Sequence, residues 1–174
     1  MNVTEPFAGK ADYDRLYREQ RQRVLRLCRL LLSDPEEAEE VAQEVFLRAF
    51  RRWRTEGEPE SWSRWLARVA VNACRDRYRS AWWRWGRGRT EELSQAEHSG
   101  AAELPEQHLI RREQCERIWQ RFQKLSHRQQ EIFVLRHLEG WSTAEVSDLL
   151  GVTAGAVKRH LFRAVHRLRG AIED

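Results

Sequence analysis

Between Thr143 and Leu168 the chain runs TAEVSDLLGVTAGAVKRHLFRAVHRL, a segment that admits few conformations. Val146, Leu149 and Leu150 form a short apolar stripe at helical spacing, and Gly151 ends it. Thr153 then offers a hydroxyl to cap a second helix. In that helix Val157, Leu161, Ala164 and Leu168 recur at spacings of four, three and four, so they share one face. At about 100° per residue, Lys158, Arg159, Phe162, Arg163 and His166 gather on the opposite face, and no acid interrupts them. His160 lies on the same basic helix. Two short helices around a tight turn, the second one basic, form the pattern of a helix-turn-helix. Such a unit buries one stripe of its second helix and turns the other to the DNA major groove. A solvated basic helix in a bundle has the same pattern, so the rest of the chain must decide.

Helical periodicity runs through nearly all of that remainder. Tyr13, Leu16, Tyr17, Gln20, Val24, Leu27, Cys28 and Leu31 define a first amphipathic helix. Ser33-Asp34-Pro35 then reads as a helix start, with Ser33 or Asp34 as cap, Pro35 in the first turn and Glu36 or Glu37 able to complete a capping box. A second helix carries Ala38, Val41, Ala42, Val45, Ala49 and Phe50 on one side. After the loop TEGEPE (residues 55–60), a third is expected from about Ser61 to Ser80, burying Trp62, Trp65, Leu66, Val69 and Ala73. The stretch from Thr90 to Glu106 holds five glutamates, no Lys or Arg and few large apolar residues. It is expected to be a linker rather than part of a core. Periodicity resumes with Leu109, Ile118, Phe122 and Leu125, and Ser126 can cap a helix carrying Ile132, Phe133 and Leu135. No strand alternation of useful length is found. The expected fold is all-α, with two small helical domains over residues 10–80 and 108–172, a flexible acidic linker over 81–107, and the helix-turn-helix in the second domain.

Composition narrows the function. Only Lys10, Lys124 and Lys158 of the 31 basic residues are lysines. Arg pairs with phosphate and guanine through its planar fork, which suits nucleic acid, although a GC-rich genome produces the same bias. Cys28, Cys74 and Cys115 are far apart and odd in number, so neither a disulfide framework nor a zinc site is expected. No cofactor is called for. The chain lacks a Gly-rich phosphate loop, a metal-ligand cluster and a nucleophile–base spacing, so it is not expected to be an enzyme. No window is long and apolar enough to span a bilayer, and MNVTEPFAGK has no signal-peptide core. No membrane insertion and a cytoplasmic location are therefore expected.

Three surfaces of opposite chemistry follow. The second helix carries Glu36, Glu37, Glu39, Glu40 and Glu44, an acidic face that DNA phosphates would repel and that suits a basic protein surface. On the third helix Arg68, Asn72, Arg75 and Arg79, spaced four, three and four, line one face, with Arg64 near its edge and Trp62 beside the loop. Cations that track phosphates beside an aromatic that stacks on bases suit single-stranded nucleic acid. A solvated Arg-rich face with Trp62 in the core fits the same residues. The basic helix of the helix-turn-helix is the third surface.

At this point the residues carry a family resemblance. Residues 37–46, EAEEVAQEVF, resemble an acidic signature of the extracytoplasmic-function (ECF) sigma factors of bacterial RNA polymerase. Residues 65–72, WLARVAVN, resemble the family's Trp-Leu-x-x-Ile-Ala-x-Asn signature, and 125–133, LSHRQQEIF, the start of its second domain. Glu145 to Leu168 resembles its helix-turn-helix, including Gly155, Val157, Lys158, Arg163 and Ala164. The motifs occur in family order and spacing. Ser126 stands where the family commonly has proline, Glu40 where it has aspartate, Ala156 where it often has threonine, and Arg159 where serine is common. The last departure bears on which promoter is read.

The resemblance implies a transcription initiation factor that brings core polymerase to promoters through their −10 and −35 elements. Glu37, Glu39, Glu40, Gln43, Glu44 and Phe46 would dock on the clamp helices of the largest subunit. The loop with Ser61, and the face of Trp62, Arg68, Asn72, Arg75 and Arg79, would hold the melted −10 strand, with a base flipped into a pocket. The second domain would sit on the β flap and place Thr153, Lys158, Arg159, His160, Phe162 and Arg163 against the −35 element. The acidic linker would thread towards the active-site channel, and an anti-sigma factor is an implied partner. Trp82, Trp83 and Trp85 acquire no role. A stand-alone helix-turn-helix regulator and a structural helical adaptor are the rivals, and both leave much of the first domain unexplained.

Overall fold

A computed structural model describes the backbone of residues 10–85 and 105–173. The described residues are helical and divide into two compact units, Met1–Ser94 and Gln95–Asp174. No described helix is long and apolar enough to cross a membrane.

The first unit contains α1 (Lys10–Leu31), α2 (Pro35–Thr55) and α3 (Trp62–Trp85), each packed on the other two. Asp34 starts α2. Its carboxylate accepts from the backbone N–H of Glu36 at 2.8 Å and of Glu37 at 3.3 Å, and Pro35 opens the helix. One aspartate thus satisfies two of the N–H groups that a helix start leaves unpaired. Val24, Leu27, Cys28, Val41, Val45, Leu66, Ala70 and Val71 lie at its centre. The Tyr13 hydroxyl donates to the Phe46 carbonyl at 2.8 Å, fastening the start of α1 to the middle of α2. Burial, and secondarily Tyr17 and Asp14 nearby, push the Tyr13 pKa up to about 12, so it remains a donor at any physiological pH.

Two expectations change here. Helix α3 buries Leu66, Ala67, Ala70, Val71, Ala73 and Cys74, whereas Trp62, Trp65 and Val69 are only half-buried. A helix wedged between two others buries more than one stripe, and small residues let the backbones approach. The helix also continues through Ala81 to Trp85, because nothing before Gly86 breaks it. At the far side α4 begins at Pro105, a residue suited to a first helical turn. Helices thus occupy both ends of the stretch expected to be linker; residues 86–104 lie outside the described ones.

The second unit contains α4 (Pro105–Gln123), α5 (His127–Phe133), α6 (Thr143–Leu150) and α7 (Ala154–Glu173). Helices α4, α5 and α6 all pack on α7. Ser126 caps α5 in a reciprocal box: its hydroxyl accepts from Gln129 N–H at 3.3 Å, and the Gln129 side chain accepts from Ser126 N–H at 3.0 Å. Glu131, 1 % exposed, is held by Arg128 at 2.9 Å with His127 at 3.6 Å. Gln130, also buried, donates to the Phe122 carbonyl at 3.0 Å, joining α5 to the end of α4. Helix α5 ends in a wider π-turn over Val134–Leu138. Beyond it Trp141, 2 % exposed, donates its backbone N–H to the Leu135 carbonyl at 2.9 Å, and Arg136 donates to the Trp141 carbonyl.

Candidate nucleic-acid interface

The turn between α6 and α7 is built as the sequence requires. Ser142 and Glu145 form a second capping box, with bonds of 3.2 and 2.7 Å. Gly151 takes the left-handed conformation (φ 63°) that a β-carbon disfavours, closing α6. Two residues later Thr153 Oγ1 accepts from the Ala156 N–H at 3.2 Å and so caps α7. Val157, Ala164 and Leu168 are buried, and Leu161 half-buried. Lys158, Arg159, Phe162 and Arg163 are exposed together on the other side, Phe162 by 72 %. The Phe162 ring lies parallel to the His166 ring, with centroids 6.3 Å apart. A row of cations around a flat, exposed ring can meet phosphates, guanine edges and thymine methyl groups at once.

His160 differs from these neighbours. It is half-buried, its Nδ1 has neither solvent nor a hydrogen-bond partner among the described residues, and its pKa is lowered. Burial is the main cause, followed by Arg163, Arg128 and Arg159. His160 is thus a neutral ring at the edge of the basic face.

Helix α3 presents the expected polar row, with Arg68 and Arg79 exposed and Asn72 and Arg75 half-buried. Arg75 donates to Asn72 Oδ1 at 3.4 Å, so the two side chains present a joint donor surface. Ser61 precedes the helix and its carbonyl accepts from Trp65 N–H at 2.9 Å. Trp62 stacks on Trp53 at 5.3 Å with 17° between the planes and meets Trp65 edge-on at 5.6 Å. Its indole N–H is buried without an acceptor among the described residues. At about 100° per residue, Trp62 lies roughly 100° from the Asn72 row, while Trp65 lies within about 50° of it. Trp65, which also carries Arg52 over its face at 5.6 Å, is the aromatic adjoining the polar row. Reading Trp62 alone missed both Trp65 and Trp53. The available signal was a tryptophan on each side of the 55–60 loop.

On α2, Glu39 pairs with Arg29 at 2.9 Å and Glu40 with Arg77 at 3.1 Å, each joining two helices. Glu44 pairs with Arg48 one turn on. Glu37 is half-buried and Gln43 is exposed. Phe46 is 4 % exposed, and its ring meets Tyr17 edge-on at 4.8 Å. Leu47 and Phe50, 58 % and 38 % exposed, are the apolar side chains that α2 offers outward. Among the described residues no group of His, Cys, Asp and Glu is arranged to hold a metal ion.

Comparison with known proteins agrees with this layout. The family model for sigma-70 region 2 matches residues 16–84, and that for sigma-70 region 4 matches residues 115–168. The RNA polymerase sigma-E factor of Streptomyces coelicolor is 31 % identical over 158 residues, covering 91 % of this chain and 84 % of that protein. The ECF RNA polymerase sigma factor SigL of Mycobacterium tuberculosis is 32 % identical over 162 residues, covering 91 % and 88 %. A solved structure of the sigma factor RpoE in complex with the anti-sigma factor NepR, from Bartonella quintana, superposes with a TM-score of 0.68. It covers 93 % of this chain and 97 % of that one, and at 19 % identity it speaks for the fold.

Proposed function

This chain belongs to the ECF sigma factors of bacterial RNA polymerase, alternative sigma factors that direct transcription initiation, and we propose how its residues divide that work. Residues 10–80 form the unit that binds core polymerase and melts the −10 element, and residues 108–172 the unit that reads the −35 element. The acidic stretch between them enters the polymerase channel. On α7, Lys158, Arg159, Phe162 and Arg163 enter the major groove. Thr153 places the start of the helix against a phosphate, and His160 contributes an uncharged edge.

On α3, Ser61, Arg68, Asn72, Arg75 and Arg79 follow the melted strand, beside the aromatic ledge of Trp65 and Trp62. An indole N–H without an acceptor, next to a stacked pair of rings, is a fitting contact for the edge of an unpaired base. On α2, Glu37, Glu39, Glu40, Gln43 and Glu44 orient docking on the clamp helices, and Leu47 and Phe50 add apolar contact. The second unit docks on the β flap. An anti-sigma factor that covers these polymerase-binding faces controls access.

The observation that carries this reading is the exposed α7 face, with four side chains aimed outward from a capped, packed helix. A small monomeric reader of this kind binds weakly and with strong salt dependence by itself, and tethering to polymerase with a second reader raises its effective concentration. The test is run-off transcription with purified bacterial core polymerase on a promoter library, with and without this protein. Discrete protein-dependent start sites, lost with Asn72→Ala or with charge reversal at Glu39 and Glu40, are expected. Sequence-specific DNA binding by the chain alone, with no initiation, would leave a stand-alone regulator instead.

A further inference from the structure

Residues 55–60 join α2 to α3, and Gly57 turns the chain there with φ 79°. One side chain holds the near end of that loop. The Arg52 carbonyl accepts from the Glu56 N–H at 2.8 Å, and Arg52 Nη1 donates to the Glu56 carboxylate at 2.7 Å. The same guanidinium lies over the Trp65 ring, 5.6 Å from its centroid, within cation–π range. Arg52 Nε is buried and finds no acceptor among the described residues. Trp65 in turn meets Trp62 edge-on at 5.6 Å, and Trp62 stacks on Trp53. At the far end of the loop Arg23, from α1, donates to the Ser63 carbonyl at 3.1 Å. The loop is thus tied down at both ends, and the Arg52 tie also reaches the rings beside the Asn72 row.

We propose that Arg52 is a positioning residue for −10 recognition: it fixes the tilt of the Trp65 ring and the entry of the loop, and through them which unpaired base the first unit prefers. The proposal rests on the reading of α3 as the holder of the melted −10 strand. Choosing one base over another requires ring faces and donors held to within about 0.5 Å of their working positions before the strand arrives. Trp65 is half-buried, so one side of its ring lacks the packing that fixes a core side chain. A cation over its face and an anchored loop beside it restrict that freedom in advance, and the strand then has less to order on binding. A direct phosphate contact is the rival role for this arginine. Its guanidinium is already engaged by a carboxylate and a ring, and its side chain is 29 % exposed against 61 % for Glu56. An incoming strand meets the carboxylate more readily than the cation behind it.

The test uses holoenzyme assembled from bacterial core polymerase and the full chain, on a promoter defined by start-site mapping. Preference is the affinity ratio between promoters that differ at one −10 position, measured in competition. Arg52→Met keeps the apolar stem and removes the guanidinium. The expected result is a preference reduced by about three- to tenfold, with −35 discrimination, affinity for core polymerase and the denaturant midpoint close to the parent's. Arg52→Lys, which keeps a cation for the ring and for Glu56, should restore most of it. Glu56→Ala releases the loop from the same tie and should also lower preference. Loss of an acid beside the strand would by charge alone tighten binding to every sequence, so the two effects separate. An unchanged preference in Arg52→Met overturns the proposal. So does an equal loss on all −10 sequences with a salt slope weaker by about one, the mark of a phosphate contact. A loss of affinity for core polymerase measured without promoter also overturns it. If Arg52→Met does not fold, Glu56→Ala decides, and an unchanged preference there overturns the proposal. Asn72→Ala in the same assay isolates the underlying reading. If it leaves −10 preference untouched, α3 does not hold the strand, whatever the Arg52 variants show.

Discussion

Helices α3 and α7 are of similar length and both carry arginines on a working face, yet they reach that state differently. Helix α7 is amphipathic in the simple sense. Val157, Ala164 and Leu168 turn inward, and Lys158, Arg159, Phe162 and Arg163 turn out. Helix α3 is wedged between α1 and α2 and, among its described side chains, buries six of mostly small size, while Trp62 and Trp65 are left half-buried at the rim. One face is free for a ligand in the first case. In the second, the working face borders an aromatic rim that also supports the fold. The charges differ likewise. Those of α2 and α3 are partly spent on ties such as Glu40–Arg77, whereas those of α7 are displayed.

If the two units are independent, damage to one should spare the other. Trp141→Ala removes a side chain that is 2 % exposed and should cost the second unit about 3–5 kcal/mol. Residue-resolved hydrogen exchange on the whole chain should show protection lost over 113–170 and kept over 12–80. Loss in both would mean that the units unfold together. On the functional side, Arg163→Ala should lower −35 discrimination by about 1–3 kcal/mol in promoter competition, while leaving −10 melting, read by permanganate footprinting, intact. Equal losses on every sequence would make Arg163 a phosphate contact.

Smaller effects sharpen the contrast. Ser142→Ala and Asp34→Ala each remove a helix cap and should each cost about 1 kcal/mol in denaturant melts, the first in the second unit and the second in the first. Glu40→Gln breaks an exposed pair and should cost at most about 1 kcal/mol of stability. A much larger loss of affinity for core polymerase would show that Glu40 serves docking more than folding. His160 gives the smallest effect. Its folded pKa lies below the ordinary 6.5, so the unfolded chain binds the proton first as the medium acidifies. Its contribution to stability is complete above pH 6.5 and is lost as pH falls towards the folded value. His160→Gln should flatten the pH dependence of second-unit stability in that window.

Legibility in the sequence followed the same divide. The α6–turn–α7 segment was readable to the residue, because Gly151, Thr153 and a clean apolar stripe each act locally. The start of α2 and the cap at Ser126 were readable for the same reason. The buried set of α3 was not. Its period is blurred by two packing partners, and the alanines and cysteine that fill the interior look neutral in a hydropathy pattern. The burial of Phe46 against Tyr17 was not legible, because a motif marks a position without saying which way the ring points.

By itself the sequence determined the helices, their caps, the break at Gly151, the basic face of α7 and the family, since each depends on neighbours within a few residues or on motif spacing. Tertiary structure alone decided that Trp62 stacks on Trp53, that Phe46 is buried against Tyr17, that acids on α2 are tied to arginines ten and 37 residues away, and that Arg121 and Gly170 meet. Those are contacts between helices. They are fixed by how side chains fill shared space, and that information is not carried by the period of any single helix.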